Sequence, residues 1–191
     1  MKYADIAVCA LLNAALALSP SIAAAAEIKP YNLKDDRVEI SISGAIAPGD
    51  AALLQTRIKA ANDAGKLVTS VRLNSDGGNV LEGVLLAAVV KFEKISTNVG
   101  QSATCASACF LIFAAGETKY ANDSARIGVH GASEKGIVSR ATTSMADVAK
   151  ELDVPWSIIR RIINTPPGEV EWLSLVDLRL MGTKVSRDKE R

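Results

Sequence analysis

The stretch LVTSVRLNSDGGNVLEGVLLAAVVKF, residues 67–92, decides how the chain folds. Leu67 to Leu73 reads as one strand, and Asn74 to Asn79 gathers residues that favour a tight turn around the pair Gly77-Gly78. From Val80 to about Phe92 the chain is apolar enough for a buried helix. Ile95 to Val99 then supplies another strand, so the block is a βαβ unit, the building piece of a parallel sheet.

The alternation extends both ways. Upstream, Val38, Ile40 and Ile42 alternate with Glu39, Ser41 and Ser43, the period of a half-buried strand, and Gly44 with Pro48-Gly49 closes it. Asp50 is expected to cap a helix that runs to Ala64 and stops at Gly65. Downstream, a loop rich in Gly, Ser and Thr leads into a helix from about Ser107 to Ala115. Short strands are expected at Lys119 to Ala121 and Arg126 to His130, a loop from Gly131 to Gly136, and helices at Ser139 to Leu152 and Pro155 to Ile163. Pro166-Pro167-Gly168 breaks the chain before a last helix from Ser174 to Met181. The fold class is α/β, with a mainly parallel sheet in a single domain.

The first residues stand apart. Lys2 brings positive charge, Ile6 to Leu18 is an apolar run broken by Cys9 and Asn13, and Ala24-Ala25-Ala26 offers small residues for cleavage after Ala26. A membrane anchor would need ~20 uninterrupted apolar residues, and Asn13, Ser19 and Pro20 interrupt these. The expected organisation is a signal peptide at 1–26, an extended arm at 27–36, the domain at 37–185 and a charged tail at 186–191, with the mature protein periplasmic or secreted and not held in a membrane. Lys2 and Asp5 leave together, so the mature chain stays near the net charge of +1. Near neutrality and the absence of a basic stripe argue against a nucleic-acid partner.

Chemistry concentrates where the strands end. In open α/β sheets ligands bind outside the carboxyl ends of the strands, and both Gly77-Gly78 and Ser107 follow strands. A serine opening a helix has its hydroxyl exposed beside free N–H groups; the Ala108 amide is a natural oxyanion donor, and Gly78, lacking a Cβ, suits a second. The only histidine of the chain, His130, is the candidate base. Each residue also has a plainer reading: a glycine turn, a helix N-cap, a structural histidine. Lys119 and Lys135 flank His130 and leave a Ser/Lys pair open as an alternative. Trp156 and Trp172 are expected as core or interface anchors.

The strings Leu73 to Gly78, Gly100 to Cys109 and Arg126 to His130, in that order, resemble the proteolytic subunit of the Clp protease within the Clp/crotonase superfamily. The likeness is greatest to periplasmic Clp-like proteins, which carry cysteines around the serine, and it runs from about Val38 to Val185. It implies a spiral of ββα units, a peptide or protein substrate, no cofactor, and a homo-oligomer. It also implies Ser107 as nucleophile, His130 as base, and the Gly78 and Ala108 amides as the oxyanion hole.

Two positions depart from the family pattern. Asp76 stands where proline is usual before the paired glycines, and Val170 falls where the triad aspartate is expected, flanked by Glu169 and Glu171. Glu171 is the candidate for the missing acid; the alternatives are a Ser/His dyad or a fold retained for binding or assembly. Crotonase-type acyl-thioester chemistry would use the same paired amides, but an exported chain leaves coenzyme A behind.

The mature chain keeps two cysteines, Cys105 and Cys109, either a disulfide around Ser107 or two small buried hydrophobes. Their parallel Cβ vectors on a regular helix oppose a bridge, whereas Cys105 in a turn before the helix allows one. Two cysteines and a distant histidine lack the ligand count of a metal site.

Overall fold

The computed structural model of the protein describes residues 25–132 and 140–187. The expected signal peptide up to residue 24, Lys135 and residues 188–191 of the expected charged tail lie outside the described residues. Among the described residues no helix is long and apolar enough to cross a membrane.

The chain order is β1 (Glu27–Asn32), β2 (Arg37–Ser43), α1 (Asp50–Asp63), β3 (Leu67–Asn74), α2 (Val80–Phe92), β4 (Ser96–Val99), β5 (Thr104–Ala106) and α3 (Ala108–Ala114). It continues with β6 (Lys119–Asn122), β7 (Arg126–Val129), α4 (Arg140–Glu151), α5 (Trp156–Asn164), β8 (Glu171–Trp172), α6 (Leu175–Leu180) and β9 (Lys184–Ser186). A six-stranded sheet has the order β1-β2-β3-β4-β6-β9, parallel except for β1. A second sheet joins β5, β7 and β8, with β8 antiparallel. A bridge between Ser75 and Cys105 ties the end of β3 to β5, so the two sheets meet at the glycine turn.

The alternation read in β2 is real: Val38, Ile40 and Ile42 are buried. The extended arm expected over residues 27–36 is instead largely an edge strand, for β1 pairs with β2 through six residues. Of β1 only Ile28 is buried, too little to give a period of two. The domain likewise runs to Ser186, which pairs with Asn122.

Asp50 is not the N-cap of α1. Gly49 holds that position at φ 102°, a conformation glycine adopts freely, and Asp50 is the first helical residue, its carboxylate accepting the Ala47 N–H at 2.8 Å. The buried Glu82 of α2 accepts the Ala51 N–H at 2.7 Å and so locks α2 to the start of α1. Both carboxylates satisfy donors where a helix N-terminus favours negative charge.

α3 lies at the centre. All seven of its residues are buried, as expected for a helix apolar on every side. α2 approaches it closely at Gly83, where an added Cβ would sit 2.8 Å from the Ala108 Cβ. The tryptophans are not core residues: Trp156 is 63% exposed, and Trp172 is partly exposed with the Arg126 guanidinium 4.0 Å over its ring.

Candidate active site

Ser107 links β5 to α3 at φ 56°, ψ −124°, outside the left-handed helical well and in a region side chains seldom occupy. Its neighbours hold it there. The Ala106 N–H donates to Ser75 O and the Ser107 N–H to Gly128 O, so β5 is clamped between the end of β3 and β7. Cys105 and Cys109 form a disulfide, Cα to Cα 5.2 Å, both fully buried. Cys105 sits in a strand and the elbow at Ser107 intervenes, so the Cβ vectors converge as they could not on one regular helix.

The plain reading of Ser107 as a helix cap is not what the structure shows. Its side chain makes no capping bond, and its hydroxyl, without a hydrogen-bond partner, is not sealed from solvent. It opens on a cavity of about 490 Å³ lined by Asp76, Gly78, Asn79, His130 and small apolar residues.

The paired glycines earn their place by geometry. Gly77 has φ 106°, and a Cβ there would meet the Ser107 Cβ at 2.7 Å and the Ala106 O at 2.8 Å. Gly78 has φ 146°, and a Cβ there would collide with the Ile46 backbone. The buried Ser75, which the sequence reading passed over, accepts the Gly77 N–H through its hydroxyl at 3.1 Å and shapes the turn.

Gly77 O accepts the Ile46 N–H at 2.9 Å. Across a trans peptide the next N–H points the opposite way, so the Gly78 N–H faces away from Ile46, toward the side on which the chain pairs with β5. The Ala108 N–H opens α3 and has no acceptor within the helix. Both expected oxyanion donors are thus backbone groups beside Ser107.

His130 follows β7, half-buried, with Nδ1 2.6 Å from Gly131 O. A carbonyl oxygen only accepts, so in that contact Nδ1 carries the proton and the neutral ring keeps its lone pair on Nε2. Gly131 is itself fixed: its N–H donates to Thr165 O at 2.9 Å, and it is packed against Thr142 and Ile162. Ser107 and the imidazole share the cavity without a hydrogen bond between them in this state.

The structure does not bring Glu171 to His130. Glu171 pairs with Val129 across the small sheet, its carboxylate 3.4 Å from Arg161 Nε and accepting the Thr165 hydroxyl at 3.4 Å. Val170 packs against Gly128. Among the described residues no carboxylate is hydrogen-bonded or ion-paired with the imidazole. Arg161 also makes two bonds to Asp177, at 2.9 and 3.0 Å. Burial pushes the Asp177 carboxyl up, but hydrogen bonds from Arg161 and Ser174 outweigh it and hold the group below the usual range. Lys119 lies on β6 with its ammonium 3.4 Å from Gly116 O; burial lowers its pKa, but it does not line the Ser107 cavity.

No family model matches the chain, and no curated protein matches it. Solved structures do. ClpP1 from Listeria monocytogenes superposes with a TM-score of 0.60 at 18% identity, covering 79% of this chain and 92% of that one. A membrane-bound stomatin-specific protease, 1510-N, gives a TM-score of 0.56 at 17% identity over 78% of each chain. An enoyl-CoA hydratase/isomerase from Marinobacter aquaeolei gives 0.60 at 10% identity over 84% of this chain and 70% of that one. The chain has the Clp/crotonase fold. Within that fold it is similar to proteases and to acyl-thioester enzymes alike.

Proposed function

We propose that the protein is a Clp-like serine hydrolase, most simply a peptidase, exported from the cytoplasm. Nε2 of His130 takes the proton from the Ser107 hydroxyl as Oγ attacks the scissile carbonyl. The oxyanion forms between the Gly78 and Ala108 amides. The imidazolium then passes its proton to the leaving amine as the carbon–nitrogen bond breaks, and water, activated by the same nitrogen, releases the acyl group and restores Ser107. The Gly131 carbonyl holds the imidazole where a triad would use a carboxylate.

The observation that carries this reading is Ser107 itself: a residue with a side chain kept in a strained elbow, its hydroxyl unused by the fold and opening on the cavity that holds the chain's only histidine. Strain of this kind costs of order 1–3 kcal/mol and persists where the surroundings over-determine it. Export is supported by the leader-like residues 1–26 and by the disulfide. A fluorophosphonate probe is expected to label Ser107 of the mature protein and to fail on Ser107→Ala. Labelling that survives the substitution would refute the assignment.

A second reading, a fold kept for binding or assembly as a homo-oligomer, is favoured by Val170 at the acid position. It predicts partner binding by the Ser107→Ala protein and no turnover of any peptide or ester.

A further inference from the structure

Asp76 stands between Ser75, which shapes the glycine turn, and Gly77-Gly78, which supplies the oxyanion donor. It lines two neighbouring cavities: the one of about 490 Å³ that holds Ser107, and one of about 400 Å³ walled by Gly44, Asn74, Gly77 and Thr104. Apart from the imidazole it is the only ionisable residue lining either, among the described residues. The side chain is exposed and takes part in no hydrogen bond or ion pair with another described residue. The obvious local donors are committed elsewhere. Arg126 stacks on Trp172, and Arg72 pairs with Glu39. Arg140 opens α4 next to the cavity residue Ala141 and forms no ion pair with Asp76.

The Asp76 carboxylate, two residues from the proposed oxyanion donor Gly78, lines the same cavity as that donor. There it opposes the negative charge that the site must gather during acyl transfer. A cation on the substrate that pairs with Asp76 removes that opposition and adds an attraction of its own.

We propose that Asp76 selects substrates with a basic side chain beside the scissile bond, peptides bearing lysine or arginine there. The inference rests on Ser107 being the nucleophile. It makes the acidic residue at the rim a device of specificity, since it slows neutral and anionic substrates as well as favouring cationic ones.

The test compares the rates at which Ser107 is labelled by three isosteric fluorophosphonates whose tethers end in an ammonium, a methyl or a carboxylate. The cationic probe is expected to react about tenfold faster than the neutral one, the anionic probe slower still, and 1 M salt should narrow the spread. Asp76→Asn should equalise the three, in part by accelerating the neutral probe, and Asp76→Lys should reverse the order. Equal labelling of Ser107 by all three probes in the unaltered protein would overturn the charge selection and leave the nucleophile standing. So would a cation preference that persists in Asp76→Asn. Failure of every probe to label Ser107 would overturn both.

Discussion

Opening the Cys105–Cys109 bridge separates two things the structure ties together, the stability of the domain and the poise of Ser107. The bridge closes a loop of five residues, for which the chain-entropy relation gives about 2 kcal/mol at 25 °C. In a domain of this size such a loss lowers the melting temperature by about 4–8 °C. The bridge also spans Ser107 directly, from the strand before it to the helix after it, so without it the strained backbone at residue 107 is expected to relax. Labelling of Ser107 should then slow by tenfold or more, the factor that ~1.4 kcal/mol represents. Both sulfurs are fully buried, which makes reduction of the native protein slow, so the paired substitution Cys105→Ala and Cys109→Ala is the better perturbation. The assay is a thermal scan beside probe-labelling kinetics, with thiols counted by alkylation of the unfolded, non-reduced parent. Two free thiols in the parent would refute the reasoning at its root. A double variant that melts lower but labels at the parent rate would refute the claim that the bridge braces the elbow.

Because the chain has one histidine, nitrogen-15 NMR of uniformly labelled protein reads His130 without ambiguity. The neutral ring is expected as the Nδ1–H tautomer dictated by Gly131 O, and the Nε2–H tautomer would contradict the proposed base. The Asp177 carboxyl, held below its ordinary range by Arg161 and Ser174, contributes stability that is fully present above the unfolded value near pH 4 and is lost as pH falls through the folded one. Asp177→Asn should cost about 2 kcal/mol at pH 7 by urea unfolding, and less at pH 3; an equal loss at both would exclude the ion pair as the cause.

The parts of the fold that repeat were legible. The period-two strand at Val38 to Ile42, the glycine stop of α1 and the apolar run of α2 are all present where the residues place them. β5, β8 and β9 have three, two and three residues, too short for any periodicity to show. That Ser107, Gly78 and His130 line one cavity was legible because each follows a strand, and the fold delivers strand ends to one crevice. What holds His130 was not recoverable. The eye searches for a carboxylate such as Glu171, whereas the group on Nδ1 is a backbone carbonyl that any residue at position 131 would carry.

A carbonyl orienter has a different consequence from a carboxylate one. Either fixes the ring and its tautomer, but only the carboxylate offers a full charge to the imidazolium that forms as Ser107 loses its proton. Val170, apolar and packed on Gly128, offers none. On the proposed mechanism the site therefore depends more heavily on groups that need no charge: the two amides, and the backbone that keeps Ser107 beside them. That backbone is built by subtraction. Gly77 leaves room for the Ser107 Cβ, and Gly83 lets α2 close on Ala108, so that a methyl group at either position would push directly on Ser107 or on Ala108. With no described carboxylate on the imidazole, the proposed site has little tolerance for such displacement. The proposed nucleophile is gripped at once by strand pairing on both sides, by a wholly buried helix and by a disulfide across its own turn.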